Sequence, residues 1–198
     1  MDFCKLSYEN GYPIEEFKAL LKERLTEKRY IHCLGVMKEA VRLAKKYGAD
    51  EQKAEAVGLL HDITKDMTYE QQLQYIKEND IIMDGLSAAS PKLWHAITGA
   101  HFIKYKLNIQ DEDMINAVRY HTTARDGMSL LEKTLYLADY TSEERDYDGV
   151  DDMRRDVDIS MEKAMHTALQ FSVCDLCNRD LSIHPDTVGA WNDLITNG

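Results

Sequence analysis

Residues 54–62 read AEAVGLLHD. Asp50 stands where an N-cap belongs, the apolar residues carry a helix to Leu60, and that helix runs directly into His61-Asp62. By itself the dipeptide says little. With 7 His and 20 Asp in 198 residues, chance gives roughly 0.7 His-Asp pairs. Read alone, it is a histidine at the negative end of a helix dipole, followed by an aspartate that opens the next turn. The neighbourhood decides more, because the segments on either side carry the same helical periodicity.

Outward from this stretch the chain reads as helix after helix. Pro13 opens a first, with Phe17, Leu20 and Leu21 inward. A second runs from about Thr26 to Tyr47 and stops at Gly48 in the C′ position. The third is the one that ends at His61-Asp62. Thr68-x-x-Gln71 is a capping box for a short fourth. Ser90-Pro91 starts a fifth, carrying Leu93, Trp94 and Ile97. A sixth covers about Asp111 to Tyr120, and Ser129-x-x-Glu132 caps a seventh over LLEKTLYLADY. An eighth covers about Asp158 to Cys177, and a ninth begins at Pro185. Short β-branched stretches such as Ile81-Ile82 are too brief for a strand. The expected class is all-α, about nine antiparallel helices around one core. Residues 1–198 are expected to form a single domain with a short N-terminal extension at 1–12.

The bulk numbers agree and narrow the function. A chain of 198 residues can bury a real core. No apolar run approaches a membrane span, and MDFCKLSYEN lacks the h-region of a signal peptide. The expected protein is cytoplasmic, with no membrane partner. Cys4 and Cys33 are isolated, and Cys174 and Cys177 form a lone C-x-x-C in an apparent helix. A zinc ribbon needs a second pair and a redox motif needs a βαβ setting, so the thiols read as reduced and structural. Net charge is −11, which argues against a nucleic acid polymer as partner. A small phosphorylated substrate stays compatible, since a bound divalent ion supplies local positive charge. The sequence is equally compatible with a monomer or a homodimer.

Six residues stand where a polar group needs a reason: His32, His61, Asp62, His95, His121 and Asp139. Asp139 follows Leu135 by one helical turn, and a carboxylate on an apolar face is costly unless paired or metal-bound. Its ordinary reading is an ion pair with an Arg such as Arg145, or exposure to water. His32 and His95 each have a glycine one turn later, Gly35 and Gly99, where a helix or ligand can approach closely. His121 ends the sixth helix, before Thr122 and Thr123. Each histidine taken singly reads as a hydrogen-bonded core residue. Taken together, four His and two Asp at semi-buried helical positions make a cup of N and O donors suited to one or two divalent transition metals. His101 points away from His95, His166 reads as surface, and His184 precedes Pro185 in a loop. Arg29, Lys65, Arg125 and Arg145 each lie three to six residues from a candidate ligand. In a chain this acidic they look like phosphate contacts, although any one of them could be an ordinary solvated cation.

The order His…His-Asp…Asp resembles the HD superfamily of metal-dependent phosphohydrolases. RYIHCLGV, GLLHDITK, LWHAITGAH, YHTTARDGMS, LYLADYTSEERDYDGV and SIHPDTVGAWN resemble one bacterial branch, the YqeK-type symmetrical diadenosine tetraphosphate hydrolases, from about Lys28 to Trp191. The resemblance implies a compact all-α HD domain. It implies a primary metal, typically iron, held by His32, His61, Asp62 and Asp139, with His95 and His121 holding a second metal or phosphates. Arg29, Lys65, Thr122 and Arg145 would bind substrate, and Arg125, four residues after His121, is expected to join them. The tail residues Ser182, Ile183, His184, Asp186 and Thr187 would lie against the nucleotide. The chain departs from the family pattern at Ala124, where the pattern has Gly, and at Glu143-Glu144, where Pro-Gly precedes the Arg. The second departure sets two carboxylates beside an expected phosphate contact.

The implied activity is metal-dependent cleavage of diadenosine tetraphosphate to two ADP. Asp62 would orient the nucleophile and Lys65 would neutralise developing charge, so the expected ligand is a dinucleoside polyphosphate or an ADP-like nucleotide. Two other readings remain. One is phosphohydrolysis of nucleoside monophosphates or cyclic nucleotides by the same cup. The other is a nucleotide-binding regulatory module without turnover.

Overall fold

The computed structural model describes Tyr8 and residues 11–197. Most of the expected N-terminal extension, with Cys4, lies outside the described residues. Among the described residues there are eleven α-helices and no strand, so the all-α expectation holds. They are α1 (Ile14–Arg24), α2 (Glu27–Tyr47), α3 (Glu51–Leu60), α4 (Tyr69–Glu78), α5 (Gly85–Ala89) and α6 (Trp94–Tyr105). Then follow α7 (Glu112–Tyr120), α8 (Leu130–Thr141), α9 (Val150–Ile159), α10 (Met161–Asn178) and α11 (Pro185–Asn197). None of them is long and apolar enough to cross a membrane.

The caps read at Asp50, Thr68, Ser129 and Gly48 form as expected, and Thr26 adds one more. Asp50 accepts from the backbone N–H groups of Gln52 and Lys53, and Thr26 accepts from Arg29. Thr68–Gln71 and Ser129–Glu132 are complete capping boxes. Gly48 ends α2 at φ +82°, the left-handed region in which glycine carries no Cβ penalty.

Two helices were not anticipated, and one boundary moved. The five-residue α5 is nucleated by Asp84, which accepts from Leu86 and Ser87 N–H. Helix α9 buries Val150, Met153 and Val157, a 3-4 spacing hidden among Asp and Arg. The expected eighth helix, about Asp158 to Cys177, is α10, which begins only after Ser160, whose side chain caps it, while residues 158 and 159 end α9. The segment after Ser90-Pro91 starts as a single 3-10 turn, Pro91–Leu93, before α6.

One apolar core runs from Phe17 in α1 to Ala190 in α11. Val36, Ala40 and Leu43 of α2, Val57, Leu59 and Leu60 of α3, and Leu135 and Leu137 of α8 are fully buried in it. Helix α3 lies tightly on α2 because residue 58 has no side chain: a Cβ there would come 2.8 Å from Met37 Cα. That close crossing brings the C-terminal end of α3 beside the first turns of α2. Helix α8 packs against both, and α6 and α7 close the opposite side.

Candidate metal centre

The six residues converge. His32 comes from α2, His61 and Asp62 from the end of α3, His95 from α6, His121 from the end of α7 and Asp139 from α8. His32, His61, Asp62, His95 and His121 are all 6% exposed or less.

The rings are fixed so that Nε2 faces inward. His61 is the C-cap of α3, and its Nδ1–H donates back to the Gly58 carbonyl at 2.8 Å. His121 is the C-cap of α7 and repeats the device, donating to the Val118 carbonyl at 2.7 Å. A carbonyl only accepts, so both rings turn an Nε2 lone pair toward the cup. His32 Nδ1 lies 2.6 Å from Glu144 Oε1, which likewise leaves Nε2 inward. The His32 and His61 Nε2 atoms are 3.3 Å apart, and those of His95 and His121 are 3.2 Å apart. His95 differs from the other three in that its neighbour is Lys65, whose Nζ is 3.1 Å from Nε2 and 3.3 Å from Nδ1.

Asp62 lies between the two halves. Its Oδ2 accepts from Arg29 at 2.8 Å and lies 3.4 Å from His61 Nε2. Its Oδ1 is buried without a hydrogen-bond partner among the described residues, 3.3 Å from His95 Nε2 and 3.7 Å from His121 Nε2. Asp139 Oδ1 is 3.1 Å from His32 Nε2 and is paired with Arg145, whose Nε also donates to the Asp139 carbonyl at 2.6 Å.

The electrostatics call for a cation. Burial pushes the Asp62 and Asp139 carboxyls up, but the surrounding imidazoles, and Arg145 at Asp139, hold both well below the usual carboxylate range. Burial drives His61 and His95 down, so these rings are neutral and free to ligate. Burial also opposes a charge on His32, yet Asp139 and Glu144 outweigh it and raise the ring. Facing lone pairs, ionised carboxylates and an orphaned carboxylate oxygen together fit a divalent ion. Two ligand triads are compact enough to hold one: His32, His61 and Asp139, and His61, Asp62 and His121. The mixed imidazole and carboxylate set suits a transition metal better than the all-oxygen preference of Mg or Ca.

The other expected residues divide. Arg29, His32 and Arg145 line a depression of about 500 Å³ on one side of the cup. Thr122, Thr123, Ser182, His184 and Thr187 line another of about 400 Å³, walled by Leu86, Leu93 and Leu181. Thr122 Oγ1 is buried without a partner among the described residues. Residue 183 is half-buried, and neither it nor Asp186 lines that wall. The Asp186 backbone instead donates to His184 Nδ1 at 3.2 Å. His184 is buried, not in an open loop, with Nε2 3.0 Å from Ser87 Oγ, and Thr187 Oγ1 donates to the Thr123 carbonyl at 2.7 Å.

Arg125 does not join. Its guanidinium grips buried Glu132 with bonds of 2.6 and 2.8 Å and lines a separate depression with Met128 and Lys133. The structure thus places Arg125 in an ion pair away from the cup. His101 points away from the cup, as its spacing implied, and its Nδ1 lies 3.0 Å from the Tyr75 hydroxyl. His166 is half-buried against Trp191, where a surface position was expected. Sequence reasoning missed Glu144 as a partner of His32. The available hints were Gly35, one turn beyond that histidine, and the unexpected carboxylates at Glu143-Glu144.

Comparison with known proteins agrees with the geometry. Residues 29–144 match the HD domain family. A Bacillus subtilis (strain 168) protein named symmetrical bis(5'-nucleosyl)-tetraphosphatase is 38% identical over 182 residues, covering 92% of this chain and 97% of the relative. A Staphylococcus aureus (strain NCTC 8325 / PS 47) protein of the same name is 34% identical, covering 90% and 93%. A crystal structure from Clostridium acetobutylicum, described as a predicted HD superfamily hydrolase involved in NAD metabolism, superposes with a TM-score of 0.90 at 34% identity. It covers 95% of this chain and 100% of that one. With the HD match spanning both ends of the cup and relatives aligned over nearly their whole length, this chain belongs to the HD domain family, in the branch of the bacterial symmetrical bis(5'-nucleosyl)-tetraphosphatases.

Proposed function

We propose that this chain hydrolyses diadenosine tetraphosphate at its central anhydride, giving two ADP, with iron in the cup. The observation that carries the reading is Asp62, one buried carboxylate whose two oxygens serve two sets of inward-facing imidazoles. The names of the relatives supply the substrate. A divalent ion in such a site makes hydroxide available from water near neutral pH.

His32, His61, Asp62 and Asp139 are the proposed primary ligands. His121, anchored by its backbone like His61, is proposed as a ligand to a second ion. His95, beside Lys65, is proposed as a phosphate contact. The free Asp62 Oδ1 accepts a hydrogen bond from the attacking water and orients it. Attack at one inner phosphorus breaks its bond to the bridging oxygen, and ADP departs as a stabilised phosphate anion, so a strong general acid is not needed. Lys65, Arg29 and Arg145 neutralise the charge that develops on the phosphoryl oxygens. One nucleoside occupies the 400 Å³ depression by Thr122 and His184, within the size range of ligand pockets. The other nucleotide crosses the rim at Arg29 and Arg145. All of these groups come from one chain, which we place in the cytosol as one HD unit.

A nucleotide panel tests this. Metal-loaded protein should turn over diadenosine tetraphosphate, lose that activity to a chelator, and leave AMP and cyclic AMP untouched. Preferential hydrolysis of a monophosphate or cyclic nucleotide would transfer the cup to that substrate class. Nucleotide binding without turnover of any member would make it a regulatory module.

A further inference from the structure

Glu143 and Glu144 set two carboxylates just before Arg145, beside the proposed phosphate path. The structure gives one of them a partner. Glu144 turns inward, its side chain 26% exposed, and Oε1 receives two bonds: His32 Nδ1 at 2.6 Å and the Ser142 hydroxyl at 2.7 Å. Ser142 is fully buried, so this acceptor is held from below. Oε2 fills the space above residue 35, where a Cβ would sit 1.9 Å from it. The carboxylate thus reaches His32 only because residue 35 is glycine. The turn that presents it is itself clamped: Arg154 of α9 donates to the carbonyls of Thr141 at 3.1 Å, Ser142 at 2.8 Å and Arg145 at 2.9 Å.

We infer that Glu144 is a positioning residue for the metal centre: by accepting the Nδ1 proton of His32, it fixes the ring with its Nε2 lone pair toward the ion. A metal-bound histidine commonly donates its other N–H to a carboxylate or carbonyl, which sets tautomer and orientation. His61 and His121 use backbone carbonyls for this purpose. His32, in the second turn of α2, instead depends on a side chain from a turn more than a hundred residues away. Residue 35 is the counterpart of that arrangement. The inference rests on the metal-centre reading above.

The test is metal affinity of the full chain, measured with Mn²⁺ against a competing chelator dye, alongside thermal unfolding of each apo variant. Glu144→Ala should weaken binding roughly 10- to 100-fold. Glu144→Gln, which keeps an acceptor oxygen, should recover most of the loss. Gly35→Ala should reproduce the loss without touching His32, by displacing the carboxylate. Since alanine favours the helix over glycine, unfolding would not explain that loss. The double variant Gly35→Ala/Glu144→Ala should be no worse than either single one. Glu143→Ala, the neighbouring carboxylate, should bind like the original chain. If the original chain binds Mn²⁺ and Glu144→Ala binds it equally well, the positioning role is wrong. A Gln variant as weak as the Ala variant, or normal binding in Gly35→Ala, would also overturn it. No binding by the original chain would instead overturn the metal-centre reading itself, and the positioning role with it.

Discussion

The floor and the rim of the cup are held by different means. On the floor, His61 and His121 cap helices and return their Nδ1 protons to carbonyls three residues earlier in their own chain. On the rim, His32 and Asp139 lean on side chains from the turn after α8: Glu144 holds the first and Arg145 the second. A backbone-held ligand needs only a helix end in the right place. A side-chain-held ligand needs a particular residue on a particular turn, and the orientation fails if either changes. The floor should therefore set whether a metal binds at all, and the rim how tightly and in what register the substrate meets it.

The largest effects are expected on the floor. His61→Ala or Asp62→Ala should abolish both metal content and turnover, read by elemental analysis and assay. His121→Ala should lower the metal count per chain, whereas His95→Ala should leave the count unchanged and weaken catalysis. A full metal complement in His61→Ala would dissolve the distinction between floor and rim.

The rim comes next. Lys65→Ala and Arg145→Ala each remove a charge-assisted contact worth about 1.5–3 kcal/mol, roughly 10- to 150-fold in kcat/KM. Arg145→Ala should also weaken metal binding, because it leaves Asp139 without its guanidinium. Lys65→Ala should not, and a metal titration of the two variants sharpens the comparison.

The floor was legible in the sequence, and the rim only partly. An apolar helix that runs into His-Asp, and another that ends in His121, place these residues at helix ends by pattern, but each read singly as an ordinary core or dipole contact, and only the joint set of six pointed to a cup. Asp139 was visible as a carboxylate one turn from Leu135 on an apolar face. Glu144 was legible only as an anomaly, because its role depends on a turn folding back over α2, and no local periodicity encodes that contact. Helix α9 hid for a related reason. Its three buried residues sit in a run of charges, and its end at Ser160 carries neither Gly nor Pro. Arg125 shows how spacing alone misplaces a side chain. Spacing from His121 suggested a phosphate contact, but Glu132, which is needed for the α8 capping box, claims the guanidinium.

Two smaller effects lie outside the cup. Arg125→Ala should leave turnover unchanged and cost about 1–3 kcal/mol of stability, by stranding the buried Glu132 carboxylate. A denaturant midpoint together with an activity assay separates the two. Ala124 sits at φ +55° and is fully buried. Replacing it with glycine relieves left-handed strain of about 1–2 kcal/mol. It also removes a buried methyl worth about 0.8 kcal/mol and loosens the unfolded chain. The net change should stay below about 1 kcal/mol by the same bookkeeping. A large shift would show that the turn after His121 is held differently from the floor it adjoins.

The most direct test of the account is the identity of the first products from diadenosine tetraphosphate. Metal-loaded protein in labelled water, sampled early and resolved by chromatography and mass analysis, should yield ADP alone, with one label per molecule cleaved. Equal early amounts of AMP and ATP would contradict the register set by the rim, and metal-loaded protein that releases no product would contradict the proposed reaction.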